Sequence, residues 1–292
     1  MLRLSAFALA LVIASPTVAH GGEHHSAVPG WTLDPWVLGP LGLLLLVFLI
    51  GAARLGRRAQ QRGQSNLLFL SGCAVLTLAL ISPLHEGGER SFTLHMIEHE
   101  LIMLVATLLL AASRAGGTLA WGLPQPIARS FAADAIGPLK QLYRRLTEPV
   151  TATILQAIAM WAWHAPALFD RTLESRGWHI AQHLSFIVTS LLFWSAMLNV
   201  KRGRYGLSAA CLFITSLVGG ALGALMAFSN SPWYAGYAAM GMTGIGLDPV
   251  TDQQLAGLLM WIPGGLVHAA AALILLYRWF KASEDSHAPA VH

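Results

Sequence analysis

Charge is what this 292-residue sequence has least of: Asp, Glu, Lys and Arg make up 11% of it, where soluble domains carry about a quarter. Hydrophobic residues fill 55% and the mean hydropathy is +0.58. That balance excludes a soluble globular chain and places the sequence among membrane proteins. Cysteine is almost absent. Only Cys73 and Cys211 occur, both inside apolar runs and without a Cys-x-x-Cys pair, so they read as small core residues rather than a disulfide or thiolate site. There is no nucleotide-binding loop, no nucleophile–base set and no Cys-x-x-Cys-His haem attachment motif, so an enzyme is not indicated. The net charge of +4 does not point to nucleic acid, because the basic residues lie in short connections between apolar runs, where they orient a chain in the bilayer.

The apolar runs define the organisation. Arg3, the run Leu4 to Ala14, Pro16 and the small-residue site ending at Ala19 have the order of a secretory signal peptide over residues 1–19. Residues 20–35 form a histidine-containing segment expected outside the membrane. A crossing helix needs about 20 apolar residues. Seven such spans are predicted within residues 36–281: Trp36–Ala53, Leu67–Leu84, Phe92–Ala112, Pro149–Phe169, Trp178–Leu198, Leu207–Ser229 and Gln254–Trp279. The expected fold class is therefore an all-α integral membrane bundle of about seven transmembrane helices. Fourteen Lys and Arg residues fall in the connections after spans one, three, five and seven, against Arg90, Arg171 and Arg176 in the alternate ones. That asymmetry predicts the N-terminus outside and the C-terminus inside. Gly219 and Gly223 predict a close helix contact, and Pro263-Gly264-Gly265 predicts a kink in span seven. The inner stretch Ser113 to Glu148 is expected to hold a surface helix, and the polar tail 282–292 to lack structure.

The histidines are not scattered. His95 and His99 open span three, His179 and His183 open span five, His164 ends span four and His85 follows span two. All lie within about 10–12 Å of the outer boundary at 1.5 Å rise per residue. Both pairs are spaced i,i+4, so each projects from one helix face. Four imidazoles from two such faces suit copper, zinc or iron, and the thioethers of Met96, Met103 and Met160 tilt the choice to Cu(I). His268 lies deeper, beyond Pro263. His20, His24 and His25 offer a second, extracytoplasmic group of metal ligands. Glu98 and Glu100 point about 200° apart on one helix, so at most one is expected to face the bundle.

The chain resembles the CtaG-type cytochrome c oxidase assembly factors of bacteria. The resemblance rests on His95-Met-Ile-Glu98-His99, on Trp161-Ala-Trp163-His164-Ala-Pro166 through Asp170, on His179-Ile-Ala-Gln182-His183 with Leu192-Phe-Trp194, and on Asp252-Gln-Gln254 with Met260-Trp-Ile-Pro263-Gly-Gly265. It covers about Leu67 to Trp279. It implies a plasma-membrane protein that serves copper-dependent oxidase maturation, with oxidase subunits or other copper chaperones as partners, membrane lipid around it and no nucleic acid. Glu98, Gln182, Asp170 and Asp252 become supporting residues. One departure concerns the residues between the paired histidines: members of the family often carry Gln in span three and Glu in span five, and here Glu98 and Gln182 look exchanged. Three readings follow: a copper-delivering assembly factor, a copper import or tolerance protein, and a haem-binding membrane redox protein.

Overall fold

A computed structural model describes residues 29–132 and 137–287. Among these residues it contains helices and no strands. In chain order the helices are α1 (Pro35–Leu55), α2 (Gly63–Ile81), α3 (Pro83–Gly88), α4 (Phe92–Ser113), α5 (Gly116–Gly122), α6 (Gln125–Ala132), α7 (Gly137–Leu146), α8 (Pro149–Trp163), α9 (Pro166–Glu174), α10 (Arg176–Leu198), α11 (Tyr205–Ala227), α12 (Ala235–Met240) and α13 (Pro249–His287). A single turn, Arg57–Gln60, and a three-residue turn before α11 complete the described helices.

Six of them, α1, α2, α4, α10, α11 and α13, are long and apolar enough to cross a membrane. The fourth predicted span departs from expectation. α8 stops at Trp163 after 15 residues, because Pro166 disfavours helical geometry at the residue before it, and Ala165 is extended. Leu168 and Phe169, the end of that predicted span, belong instead to α9, which folds back over the bundle end. The tail also differs from expectation, since α13 continues as helix through His287. The described residues of the stretch Ser113 to Glu148 are helical over α5, α6 and α7. The signal-peptide reading of 1–19 and His20, His24 and His25 lie outside the described residues.

α4 is central. It packs on α2, α10 and α13 and is interrupted by a π-helical turn at Leu101–Ala106. Close approaches are made at glycines. α11 and α13 meet at Gly223 and Gly257, where a Cβ on either would lie 2.7 or 2.5 Å from the other's carbonyl oxygen. α5 docks on α1 in the same way: a Cβ on Gly51 would overlap the carbonyl of Thr118, and one on Gly122 that of Val47. Arg54 ties this contact down by donating to the carbonyls of Trp121 (2.9 Å) and Leu123 (3.0 Å). Gly51→Val is expected to destabilise the fold by about 1–3 kcal/mol, read as a lower Tm in detergent. An unchanged Tm would mean that α5 is not docked.

The basic connections converge at one end of the bundle. Arg114, after α4, reaches Leu198 O at the end of α10 (3.2 Å), and Arg204, before α11, pairs with Glu148, before α8 (3.1 Å). The histidines of α4, α8 and α10 sit at the opposite ends of those helices.

Candidate metal centre

The histidine end is held by caps. Asp252, on the first turn of α13, accepts from the Ser91 hydroxyl (2.8 Å) and from the first backbone N–H groups of α4, Phe92 (2.6 Å) and Thr93 (3.2 Å). The Thr93 hydroxyl donates back to Asp252 O at 2.9 Å. A helix begins with unpaired N–H groups, and here a neighbouring helix satisfies them. This fixes the rotation of the turn that carries His95. Asp170 does the same for α12, accepting from Ala235 N and Gly236 N. Tyr234 then donates to His164 O (3.1 Å), and Tyr237 to Gly88 O (2.5 Å). Phe92, Phe169, Tyr234 and Tyr237 form an aromatic roof, with the Phe169 ring 5.1 Å from that of His95. Asp170 and Asp252 are thus structural supports, several bonds away from the imidazoles.

Under that roof, the six histidines that the sequence places near the outer boundary come together. His95 and His99 have ring centres 4.2 Å apart, and His179 and His183 4.5 Å apart. The two pairs face each other, with His95 5.5 Å from His179 and His99 5.3 Å from His183. His164 lies 6.4 Å from His99. His85, which the sequence places at this end without naming it a ligand, lies on α3 and stacks on His179 at 5.3 Å with rings nearly parallel. Ser82 caps α3 and Pro83 opens it, a start signal visible in the sequence. Its consequence for His85 depends on a packing contact that no local pattern reveals.

Glu98 completes the chamber. It is fully buried and holds His85 Nδ1 at 2.7 Å, with His183 Nε2 3.5 Å from the same oxygen. The ligand atoms of His85, His179 and His183 lie within 4.8 Å of one another, as do those of His95, Glu98 and His179. Gln182 is also fully buried. His95, His99, His164 and His183 are buried; His85 and His179 are half-buried and form the mouth. Burial opposes charge on the His85 ring, but the bond to Glu98 and the nearby carboxylates of Glu89 and Asp34 outweigh it, so its pKa is raised above the usual imidazole value.

Buried polar atoms are nearly always hydrogen-bonded. Here His95 Nε2, both nitrogens of His99, His179 Nε2, His183 Nε2 and Glu98 Oε2 have no hydrogen-bond partner among the described residues. His164 sharpens the point. Its Nδ1 faces the carbonyl of Met160 at 2.6 Å, which can only accept, so Nδ1 carries the proton and Nε2 the lone pair. That lone pair faces the sulfur of Met96 at 3.5 Å. Two acceptors turned toward each other, amid unpartnered imidazoles and one carboxylate, fit a bound cation. Met103 and Met160 do not point into this chamber; with His268 they line a separate cavity deeper in the bundle. Glu100 corrects another expectation. Both acidic residues face inward, Glu98 to the chamber and Glu100 to that cavity, because α4 has interior space on two sides.

The family model of the cytochrome c oxidase caa3 assembly factor matches residues 46–282. The chain belongs to that family. The match takes in every chamber residue and leaves out His20, His24 and His25. Among curated proteins, this assembly factor family member is similar to an uncharacterized protein of Mycobacterium bovis and one of Mycobacterium tuberculosis, each 24% identical over 281 residues, covering 88% of this chain and 41% of the relative. An uncharacterized protein of Mycobacterium leprae is 22% identical over 287 residues, covering 90% and 42%. The chain thus spans about two-fifths of the length of these relatives. No solved structure matches it.

Proposed function

We propose that this family member is a copper-binding assembly factor, which holds Cu(I) in the histidine chamber and passes it to a cytochrome c oxidase subunit or another copper chaperone. The observation that carries this reading is the set of unpartnered imidazole nitrogens gathered around Glu98. Imidazole suits several transition metals, while thioether favours Cu(I), and Met96 faces His164 Nε2. Charge argues in the same direction. A monovalent ion beside the single carboxylate Glu98 is neutral overall, whereas a divalent ion leaves a net charge in a poorly solvated place.

The surplus of ligands suits delivery. Cu(I) held by a few imidazoles has further ones within reach, so it can move by ligand exchange without leaving the chamber. His85 and His179, the half-buried members, are the ones a partner can reach. His85 donates Nδ1–H to Glu98, which leaves the Nε2 lone pair free for the metal. We place this mouth on the outer side of a bacterial plasma membrane, following the basic residues at the other end of the bundle. The role is assembly rather than catalysis. A haem reading fits less well, since imidazole rings 4–6 Å apart centre to centre leave no slot for a porphyrin among them.

The test is an anaerobic Cu(I) titration of the purified protein against a chromogenic chelator, before and after His95→Ala with His183→Ala. Loss of the tightest copper is expected. Unchanged stoichiometry and affinity in the double variant would discard the site.

A further inference from the structure

On the other side of α4 from the chamber lies a cavity lined by Glu100, Met103, Met160, Trp194, Met260 and His268. Its polar groups divide into satisfied and unsatisfied ones. Gln156 and Ser190, also nearby, bond each other at 3.1 and 3.3 Å. The Trp194 indole donates to Met103 O at 2.9 Å, a carbonyl within the π-helical turn, where the regular backbone ladder is broken. Glu100 Oε2 is buried and has no hydrogen-bond partner among the described residues.

His268 is oriented in the way His164 is. Its Nδ1 lies 2.7 Å from Gly264 O, so Nδ1 is the donor and Nε2 keeps its lone pair. The ring stacks on Trp194, 5.6 Å centre to centre and 7° from parallel, which holds it against rotation. The Glu100 carboxyl packs against the same glycine: a Cβ on Gly264 would sit 3.6 and 3.9 Å from its two oxygens. Gly219 makes comparable room beside the Met160 sulfur, at 3.6 Å. Ionisable groups inside membrane-crossing helices are costly and call for a function.

We propose that this cavity is a second, deeper site for a soft monovalent cation, held by His268 and the thioethers of Met103, Met160 and Met260, with Glu100 as counter-charge. Sulfur-rich ligation selects Cu(I) over Zn(II), and one carboxylate neutralises one positive charge, as Glu98 does in the chamber. Met160 joins the two sites: its carbonyl orients His164, and its side chain lines the cavity. The proposal rests on the chamber being a copper site and adds a place for the ion to go. It also supplies ligands further into the bundle, where the sequence offered His268 alone.

The experiment uses the full-length protein in detergent, titrated with Cu(I) against a chromogenic chelator. Wild type is expected to take up about two equivalents per chain, one for each ligand set. Glu100→Gln with His268→Ala is expected to lose one of them and to keep the one that His95→Ala with His183→Ala removes. Met103→Leu, Met160→Leu and Met260→Leu together preserve volume and packing, and are expected to lose the same equivalent along with sulfur scattering in the X-ray absorption spectrum. A wild-type protein that saturates at one equivalent, removed by the chamber variant and untouched by the cavity variants, overturns the deeper site and leaves the chamber standing. An equivalent removed by the cavity variants alone, with the chamber variant silent, overturns the chamber instead. No uptake at all overturns both.

Discussion

Glu98→Gln is expected to weaken Cu(I) binding in the chamber by roughly 10- to 100-fold, the usual cost of losing a group that orients a metal-bound histidine, with little change in thermal stability. Glutamine has nearly the same shape, so the α4 packing survives. What changes is charge and hydrogen bonding. His85 loses the carboxylate that holds its Nδ1 at 2.7 Å, and His183 loses the one 3.5 Å from its Nε2. A cation then enters without its neutralising partner, in a place where Glu98 is fully shielded from solvent. Chelator competition at fixed pH measures the affinity. An unchanged Kd would show that neither the charge nor the orientation of His85 matters to the site.

Gln182, the counterpart of Glu98 as the other residue set between paired histidines, supplies a control. Both positions are fully buried and both lie between the paired histidines, on α4 and α10. Moving the carboxylate across the chamber preserves its charge, so Glu98→Gln with Gln182→Glu is expected to regain most of the lost affinity. The two substitutions share partners and are expected to be strongly non-additive. Further weakening in the double variant would show that the position of the carboxylate decides, rather than its presence.

The paired histidines were legible because i,i+4 spacing alone puts His95 with His99 and His179 with His183 on single faces. That the two faces meet follows from α4 and α10 being neighbours, which no local pattern states. His85 was harder to place. Its helix is six residues long, and its bond to Glu98 spans a chain reversal. Met103 shows a different limit. Regular α-helical spacing would stack it one turn below His99, but the π-helical turn at Leu101–Ala106 changes the phase and leaves it on the cavity. Both acidic residues of α4 face inward for a related reason: periodicity shows that they diverge, not that two interior spaces await them. The early end of α8 was in principle readable from Pro166. The apolar run through Leu168 and Phe169 hid it, since α9 uses those residues to roof the bundle rather than to cross it.

That roof and the chamber share one fastening, and Asp252→Ala is expected to lower stability by at least about 3 kcal/mol, at roughly 1 kcal/mol or more for each buried donor left unpaired. The carboxylate takes the Ser91 hydroxyl and two backbone N–H groups at the start of α4, and at 1% exposure the site admits little water to replace it. Ser91 caps its own helix only weakly, at 3.4 Å to Leu94 N, so Phe92 and Thr93 have no second acceptor among the described residues. Asp252→Asn keeps an acceptor oxygen and is expected to cost less than half as much. The loss is expected to extend to copper. His95 is one turn from the released end and His99 two, so fraying α4 moves two imidazoles and leaves His179 and His183 in place. Thermal unfolding in detergent and chelator competition on the same preparations separate the two effects. A variant as stable as wild type would show that α4 holds its end without α13, and the chamber would then owe its geometry to packing alone.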